Sequence, residues 1–471
     1  MPRMKRAAIA AAMAALALFA ADARAVAPGF DLFQTDPEQN VFKFVGKSAI
    51  PAGFFTPDSQ PFEGSVNFGG NPLITFQGQG VGNADTVVER TAAATPGPGS
   101  TAGDPAPIEL RALSLLGIAP IEVVTGQTTQ RWDVRASLSP SRPSSGSIRL
   151  TQSDPNGGTL DSQITVYPIF TFTRVSDGAT RVLDVGALPD GSRPDDPVFG
   201  QATPWRAGCV APALSVPALN PGFCAGQLPA GGTTLTIEQG VNLQHGIRPA
   251  SARLEHFACY TAPSGKGFKK RSVTLTDQFA SRTASVQKGT FLCNPARKGS
   301  EPGVVNKHDH LRCYQTDRGA DVGATVLLRN QFGPFQADVH RPNALCVPST
   351  KQVVRKGHKP PKPPKQSFKT DHFQCYSIKP SGDFTARTVL IRDQFGKRKL
   401  AVGRPFELCA PTTKNRTPVR DPVEHLVCYR ALPAKKVAKR VSVHNQFGGE
   451  LTSTKRVDQI CLPSIKAIRK L

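Results

Sequence analysis

The sequence predicts an all-β protein, with an N-terminal domain of the β-sandwich or jelly-roll type followed by four small disulfide-stapled β repeats. Two observations support this fold class. Short runs of alternating apolar and polar residues recur between turn segments, and the 471 residues include 42 Pro and 42 Gly but only 3 Met. One cysteine-containing pattern also occurs four times in the second half of the chain.

The first 25 residues have the features of a secretory signal peptide. Arg3, Lys5 and Arg6 form a basic start, residues 7–21 are apolar, and small residues precede a cleavage point before Val26. The apolar run is shorter than the ~20 residues that a membrane-spanning helix needs. We therefore expect a secreted, extracellular or periplasmic protein without a transmembrane segment, in a compartment where cysteines are oxidised.

Charge is distributed unevenly along the chain. Residues 26–250 carry 13 basic and 19 acidic side chains, a net charge of −6, whereas residues 251–471 carry 41 basic and 15 acidic side chains, a net charge of +26. Such a change at one point marks a domain boundary. We expect an acidic β domain over residues 26–250 and a strongly basic half after it.

Alternating segments predict the strands of the acidic domain. They lie near residues 40–45, 86–90, 108–114, 121–125, 132–137, 146–151, 163–174, 180–185 and 233–238. Ser176-Asp177-Gly178 between two such runs predicts a hairpin. The Gly-rich turn from Asp154 to Asp161 could hold calcium, but an ordinary β-turn is favoured. Many short strands joined by Pro and Gly turns are typical of a sandwich or jelly roll.

Residues 251–471 contain four copies of one pattern, at 251–298, 305–351, 367–414 and 420–466. Each opens with His-x-x-Cys-Tyr, at His256/Cys259/Tyr260, His310/Cys313/Tyr314, His372/Cys375/Tyr376 and His425/Cys428/Tyr429. Each continues with an apolar alternation ending in Asp277-Gln278-Phe279, Asn330-Gln331-Phe332, Asp393-Gln394-Phe395 or Asn445-Gln446-Phe447. Each closes with Cys, one residue, Pro, two residues and Lys, at Cys293/Lys298, Cys346/Lys351, Cys409/Lys414 and Cys461/Lys466.

The spacing of the cysteines predicts one disulfide within each copy. The two cysteines of a copy are 34, 33, 34 and 33 residues apart, whereas the intervals between copies vary. We therefore expect the pairs Cys259–Cys293, Cys313–Cys346, Cys375–Cys409 and Cys428–Cys461, and a local pair between the remaining Cys209 and Cys224. A loop of this size stabilises by about 4 kcal/mol in the chain-entropy model, and a unit this small needs such a staple.

The opening motif predicts a strand with two different faces, because side chains alternate along a strand. The Cys lies on one face, and the His and Tyr lie on the other, where they form a candidate binding surface repeated in each copy; packing between copies is the favoured alternative. The residue between them varies (Ala258, Arg312, Gln374 and Val427), which predicts partial exposure. A zinc site is disfavoured, because His and Cys point to opposite faces and each copy is one ligand short. We expect no metal and no cofactor.

Three departures from the pattern predict local differences. Residues 352–366 contain Lys-Pro-Pro-Lys-Pro-Pro-Lys and predict an extended, solvated linker. Copies two to four have a Gly after the Phe, at Gly333, Gly396 and Gly448, whereas copy one has Ala280, so its turn is expected to differ. Copy four has Thr454 where the other copies have Val, and we expect its last strand to pack less well.

In combination, these motifs resemble a domain of unknown function that is found, often in tandem, in secreted bacterial proteins. The family pattern is close to His-Phe-x-Cys-Tyr, then Val-x-Leu-x-Asp-Gln-Phe-Gly, then Leu-Cys-x-Pro-x-x-Lys, and it covers residues 251–466 here. The resemblance supports the copy boundaries. It implies no activity, because the family is uncharacterised.

The sequence favours a non-enzymatic role. It contains no Gly-x-Ser-x-Gly elbow, His-Glu-x-x-His motif or P-loop. We expect an exported binding or structural protein whose basic copies bind an anionic polysaccharide, another cell-envelope or extracellular polymer, or a membrane surface. Specific nucleic-acid recognition is not expected, since interleaved exposed aromatics are lacking. The alternative is a secreted hydrolase that acts on polysaccharide through paired carboxylates in residues 26–250, with the copies as targeting modules.

Overall fold

The computed structural model describes residues 25–468 of the chain, with short gaps. The gaps are 155–156, 190–196, 208–215, 217, 220–222, 226–234, 238–242, 252, 266–267, 300–302, 305, 366 and 433–435. The described residues form β-strands and two short 3₁₀ turns, Gly46–Ser48 and Val185–Ala187, which confirms the predicted fold class. A helix long and apolar enough to cross a membrane is absent from this part of the chain. The predicted signal peptide lies outside the described residues, apart from Ala25.

The acidic half contains seventeen described strands. They are β1 Gly29–Phe44, β2 Gly64–Gly70, β3 Thr75–Phe76, β4 Gln79–Gly80, β5 Thr86–Arg90, β6 Gly97–Pro98, β7 Ala106–Gly117, β8 Ile121–Thr125, β9 Thr128–Leu138, β10 Ser145–Gln152, β11 Gly157–Thr165, β12 Pro168–Arg174, β13 Thr180–Asp184, β14 Pro197–Ala207, β15 Phe223–Ala225, β16 Leu235–Ile237 and β17 Leu243–Pro249.

These strands form two layers around an aromatic core. One layer runs β15-β14-β11-β10-β7-β2-β1-β17-β16, and the other contains β8, β9, β12 and β13. The long strand β7 belongs to both, because it pairs with β10 in one part and with β9 in the other. The core between them is built around Phe44, Trp132, Phe170 and Phe172, all buried. The predicted hairpin is present as β12 and β13, with Gly178 at a φ of 78°.

Several parts of this domain differ from the predicted strands. Strand β1 begins at Gly29, well before the expected residue 40, and no predicted strand covers β14 or β17. The segment 163–174 was expected to be one strand but is divided between β11 and β12, since Pro168 lacks the N–H that a central strand position needs. Strand β2 was not predicted, because its Gly-rich sequence is typical of turns. Gly70 allows the backbone of β2 to pack closely against Asp85, because a Cβ at this position would lie only 1.7 Å from Asp85 Oδ2.

The basic half contains thirteen described strands, three in each of the first three copies and four in the last. They are β18 His256–Thr261, β19 Arg271–Thr276, β20 Ser281–Lys298, β21 His310–Thr316, β22 Ala324–Asn330, β23 Gly333–Val353, β24 His372–Pro380, β25 Arg387–Asp393, β26 Gly396–Lys414, β27 Glu424–Ala431, β28 Arg440–Asn445, β29 Gly448–Ser453 and β30 Val457–Ile468.

The opening and closing strands of the four copies form a closed ring. Each opening strand pairs with the closing strand of its own copy, and each closing strand pairs with the opening strand of the next copy, in the order β18-β20-β21-β23-β24-β26-β27-β30. The first and last copies then pair through β18 and β30, with Phe257 opposite Cys461. The four small repeats are therefore parts of one eight-stranded barrel with no open edge.

The remaining strand of each copy crosses to the opposite copy. Strand β19 of copy one pairs with the end of β26 in copy three, and β25 of copy three pairs with the end of β20 in copy one. Copies two and four exchange contacts in the same way through β22–β30 and β23–β28. Each copy thus contacts all three others by backbone pairing.

The copies differ locally near Ala280 and near Thr454. In copies two to four a two-residue loop joins the hairpin strands, and the following glycine has a positive φ of 103°, 116° or 108°. Copy one instead has a four-residue loop, closed by a bond from Asp277 N to Ala280 O. The closing strand is continuous in copies one to three but divided into β29 and β30 in copy four, around Thr454. Thr454 is buried and its hydroxyl donates to Val437 O, so the looser packing expected there is not observed.

Candidate functional site

The four predicted repeat disulfides fill the interior of the barrel. Cys259–Cys293, Cys313–Cys346, Cys375–Cys409 and Cys428–Cys461 are all formed, between directly paired residues. Sγ atoms of neighbouring disulfides lie 3.8 Å apart at three of the four junctions. One buried apolar side chain from each copy packs with them: Phe257, Leu311, Phe373 and Leu426. Of the predicted Cys209–Cys224 pair, Cys209 lies outside the described residues and Cys224 lies in β15.

One group of potential metal ligands lies inside this barrel, within the described residues. Ligand atoms of Cys375, Glu407 and Cys409 lie within 4.8 Å of one another. Both sulfurs belong to a disulfide, so no thiolate is available for a metal. The Glu407 carboxyl is then the one ligand group of the three that remains, and burial raises its pKa to about 7. The arrangement does not fit a zinc site.

The tyrosine of each opening motif contacts the Asp or Asn that begins the Asp/Asn-Gln-Phe motif of the opposite copy. We call this Asp/Asn-Gln-Phe segment the second motif. The Tyr376 hydroxyl donates to Asp277 Oδ2 at 2.8 Å, and the Tyr260 hydroxyl donates to Asp393 Oδ2 at 2.7 Å. In the other two copies the donor is an amide. Asn330 of copy two donates to the Tyr429 hydroxyl of copy four, and Asn445 of copy four donates to the Tyr314 hydroxyl of copy two, both at 2.9 Å. Burial raises the pKa of all four tyrosines.

The phenylalanine of the second motif packs on the same tyrosine. The ring centroids are 4.9–5.2 Å apart, with steep interplanar angles, in the pairs Phe332–Tyr429, Phe395–Tyr260, Phe279–Tyr376 and Phe447–Tyr314. Edge-to-face packing of this kind stabilises by about 0.5–1.5 kcal/mol beyond burial. The Asp/Asn-Gln-Phe motif therefore fastens its own copy to the opposite one.

The glutamine of the second motif, between the Asp or Asn and the Phe, contacts the histidine of the preceding copy. Gln331 Oε1 lies 3.2 Å from His256 Nε2, and Gln278 Oε1 lies 3.2 Å from His425 Nε2. The Gln446 amide is hydrogen-bonded to His372, whereas Gln394 donates instead to the backbone oxygen of Lys307. This contact joins neighbouring copies around the ring.

The closing lysines complete the contacts around the ring. Each ammonium lies over the phenylalanine of the next copy, at 4.1–5.3 Å from the ring centroid, in the pairs Lys298–Phe332, Lys351–Phe395, Lys414–Phe447 and Lys466–Phe279. Burial lowers the pKa of Lys351 to about 7 and also lowers the pKa of Lys414 and Lys466.

The His and Tyr side chains thus join copies rather than form an exposed surface. All four tyrosines are at most 2% exposed, and His256, His310 and His425 are buried. The varying residues between them are also buried, contrary to the expected partial exposure. Arg312 shows why: its guanidinium pairs with Glu450 and donates to the backbone oxygens of Ala262 and Phe291.

Replacing Tyr376 with Phe is expected to destabilise the barrel by about 1–3 kcal/mol, because the half-buried Asp277 carboxyl loses a donor. The matched control is Tyr429→Phe, whose partner Asn330 is uncharged and also donates to Ser464 Oγ. We expect a smaller loss there, about 0.5–1.5 kcal/mol. Urea unfolding with the disulfides intact measures both, and equal losses would contradict this role of Asp277.

Acid is expected to remove stability through His372. Burial, helped by the nearby Lys414, lowers the pKa of its imidazole to about 4. The folded state therefore holds the neutral ring, whereas the unfolded chain takes up a proton below pH 6.5, so this contribution is lost as the pH falls from 6.5 towards 4. The gap in unfolding free energy between the native protein and H372N should shrink by roughly 2 kcal/mol from pH 7 to pH 4.5. A gap that stays constant would disprove the assignment.

The outward side of the hairpin in copy three, with the end of β20, carries a concentration of cations. We call it the basic face: Arg297, Arg392, Lys397 and Lys399. Arg297 lies opposite Arg392, which lies opposite Lys397, across β20, β25 and β26. Arg392, Lys397 and Lys399 are exposed and Arg297 is half-buried. Summed charge alone could not locate this face, because its members come from two different copies.

The hairpin of copy two packs instead on the acidic domain. The Arg329 guanidinium donates to Gly117 O at 2.6 Å and to Asp133 Oδ1 at 3.2 Å. Lys466 Nζ, at the end of the barrel, donates to Glu38 Oε1 at 2.5 Å. Opposite charges of the two halves therefore meet at this interface.

A cleft of about 250 Å³ lies beside this interface. Residues of both halves line it, among them Asp85, Asn83, His256, Arg329 and Glu424. Burial raises the pKa of Asp85 to about 7 and the pKa of Glu424 to about 8. Asp85 accepts hydrogen bonds from Thr35 and Thr86, and Glu424 accepts from the Asn83 amide and Leu254 N. These carboxyls were not singled out from the sequence, since the cleft exists only after the halves meet.

Comparison with known protein families gives a match in the basic half. The model of a family described as a repeat of unknown function (DUF7450) matches residues 371–468, which cover nearly all of the third copy and the whole fourth copy. The match supports an uncharacterised repeat in this part of the chain. No curated protein and no solved structure matches the chain.

Proposed function

We propose that this chain is exported and that its basic barrel binds an anionic polymer, with the acidic domain displayed or bound to a second partner. The observation that carries the proposal is the basic face. None of its four side chains forms an ion pair or a hydrogen bond with any residue that the structure describes. Residues 251–471 add a net charge of +26, which attracts polyanions over a distance. The four buried disulfides agree with an oxidising, non-cytoplasmic compartment.

A salt titration tests the binding. The full chain is titrated with dextran sulfate, as a model anionic polysaccharide, at several NaCl concentrations. We expect tight binding at low ionic strength and a logarithm of affinity that falls linearly with the logarithm of salt concentration, because each neutralised anionic group releases counterions. Failure to bind at low ionic strength would refute the proposal.

Vesicles and DNA serve as competing ligands. Vesicles containing phosphatidylglycerol that bind the chain more tightly than dextran sulfate would make a membrane surface the partner and overturn the polymer proposal. DNA duplexes of different sequence should bind with equal affinity, because the contacts are to charge rather than to base edges.

One observation favours a second candidate, a polysaccharide hydrolase. Asp85 and Glu424 line one cleft, and carboxyls with raised pKa values serve as acid and base in glycoside hydrolysis. The cleft is shared by the two halves rather than confined to residues 26–250. Both carboxyls accept hydrogen bonds from neighbours, which favours a structural role. Reducing-end release from a panel of polysaccharides, lost in D85N and E424Q, would support this candidate, and no release by the native protein would exclude it for that panel.

A further inference from the structure

The basic face contains a cavity suited to a single oxyanion. The cavity has a volume of about 120 Å³ and is lined by Arg297, Gly299, Leu390, Ile391, Arg392 and Lys397. All three charged residues of this lining are cations. Since one water occupies about 30 Å³ in the liquid, the cavity has room for one oxyanion and part of its hydration shell.

The three cations are placed unfavourably unless an anion lies between them. Arg297 and Arg392 are directly opposite across β20 and β25, and Arg392 and Lys397 are opposite across β25 and β26. Like charges in directly opposite positions destabilise a sheet. In addition, Arg297 Nε is buried without a hydrogen-bond partner among the described residues. A buried donor left unsatisfied destabilises the folded chain.

The equivalent positions in the other copies show that the fold does not require these cations. Three strands meet in the same way at each hairpin. The residues equivalent to Arg297, Arg392 and Lys397, in that order, are Thr413/Thr276/Ser281, Thr350/His444/Gly449 and Ile465/Arg329/Pro334. One of the four quasi-equivalent sites thus carries three cations, and the diametrically related site carries three hydroxyls. The cations are a property of one site rather than of the repeat.

We propose that Arg297, Arg392 and Lys397 form a site for one sulfate or phosphate group of the anionic polymer, an inference that rests on the proposed function. Two guanidinium groups can each present paired N–H donors to neighbouring oxygens of a tetrahedral anion. The Lys397 ammonium adds a third charge, and Lys399 lies two residues further along the same face to meet the next anionic group of the polymer.

The test compares the full chain with two variants of equal charge. R297Q/R392Q/K397Q removes the site, and K356Q/K359Q/K362Q removes three exposed cations of the linker. The affinity for dextran sulfate and for polyphosphate is measured by isothermal titration. The thermal unfolding midpoint is measured in sodium sulfate, sodium phosphate and sodium chloride of equal ionic strength. The general stabilisation of folded proteins by sulfate acts on all three proteins alike.

We expect the site variant to lose at least ten-fold in polymer affinity and the linker variant to lose much less. Sulfate or phosphate should raise the unfolding midpoint further in the native protein and the linker variant than in the site variant, because a ligand that binds only the folded state stabilises it. The anion that gives the larger difference identifies the preferred group. The site variant should fold normally, since it loses like-charge repulsion.

The possible failures are distinguishable. If polymer binding survives unchanged in the site variant and the anion effect is the same in all three proteins, the site is wrong and the proposed function stands. If the native protein binds no polymer but the anion effect is lost in the site variant alone, the site stands and the proposed polymer function is wrong. Equal losses in both variants would show that only total charge matters, which would overturn the site.

Discussion

Truncating the chain after residue 419 is expected to unfold the three copies that remain. The truncation removes β27 to β30, so β18 loses its partner β30 and β26 loses its partner β27. Strand β22 of copy two also loses its pairing with β30. Tyr314 in the same copy loses Asn445 and Phe447. The truncated chain would then have two open edges, and copy two would lose its contacts with copy four.

Limited trypsin digestion measures this result. Cleavage sites identified by mass spectrometry should spread over residues 251–419 of the truncated chain, whereas the full chain should be cut mainly in the exposed linker after Lys356 and Lys365, which are not followed by proline. The truncated chain should also lose the tighter polymer binding that the basic face adds, at least ten-fold in affinity, even though this face belongs to copies one and three. Copies that were independent modules would keep both their protease resistance and this binding, and that outcome would refute the interlocked barrel.

Removing one disulfide is expected to produce the second large effect. The variant C375A/C409A opens a loop of 34 residues in the unfolded chain, and we expect a loss of about 4 kcal/mol in unfolding free energy. C428A/C461A is the matched comparison, because its loop of 33 residues predicts nearly the same loss. Urea unfolding under non-reducing conditions measures both. A loss below about 1 kcal/mol in either variant would contradict this role of the disulfides.

The same disulfides should resist reduction in the folded protein. The eight cysteines are at most 5% exposed, and they face the closed interior of the barrel. A thiol reagent needs access to sulfur, so reduction should follow unfolding rather than precede it. Alkylation after mild reduction should therefore label either none or all of these cysteines in one molecule.

Much of each copy could be predicted from the sequence because the signal is local. The constant separation of the cysteines predicted the four pairs, and the alternation of side chains placed Phe257 and Cys259 on the face opposite to Tyr260, as the structure confirms. Ala280 correctly marked a different turn in copy one, whereas Thr454 marked a divided strand rather than the looser packing expected of it.

Contacts between copies could not be predicted, because spacing within a copy carries no information about them. Tyr376 and Asp277 are 99 residues apart, and Tyr260 and Asp393 are 133 residues apart. Arg312 was expected to be partly exposed because its position varies among the four copies, yet a carboxylate and two backbone oxygens surround it. The basic face was missed for the same reason, since β20 and β25 meet only when opposite copies pair.

Amide hydrogen exchange along β18 and β30 tests most directly whether the four copies form one closed barrel, on which the basic face depends. If the ring is closed, backbone amides from Phe257 to Tyr260 and around Cys461 are paired on both sides of each strand. They should exchange as slowly as the amides of β24 and β26, at the rate set by global unfolding. Fast exchange of alternate amides in β18 and β30, with β24 and β26 protected, would show two free edges and contradict the closed barrel.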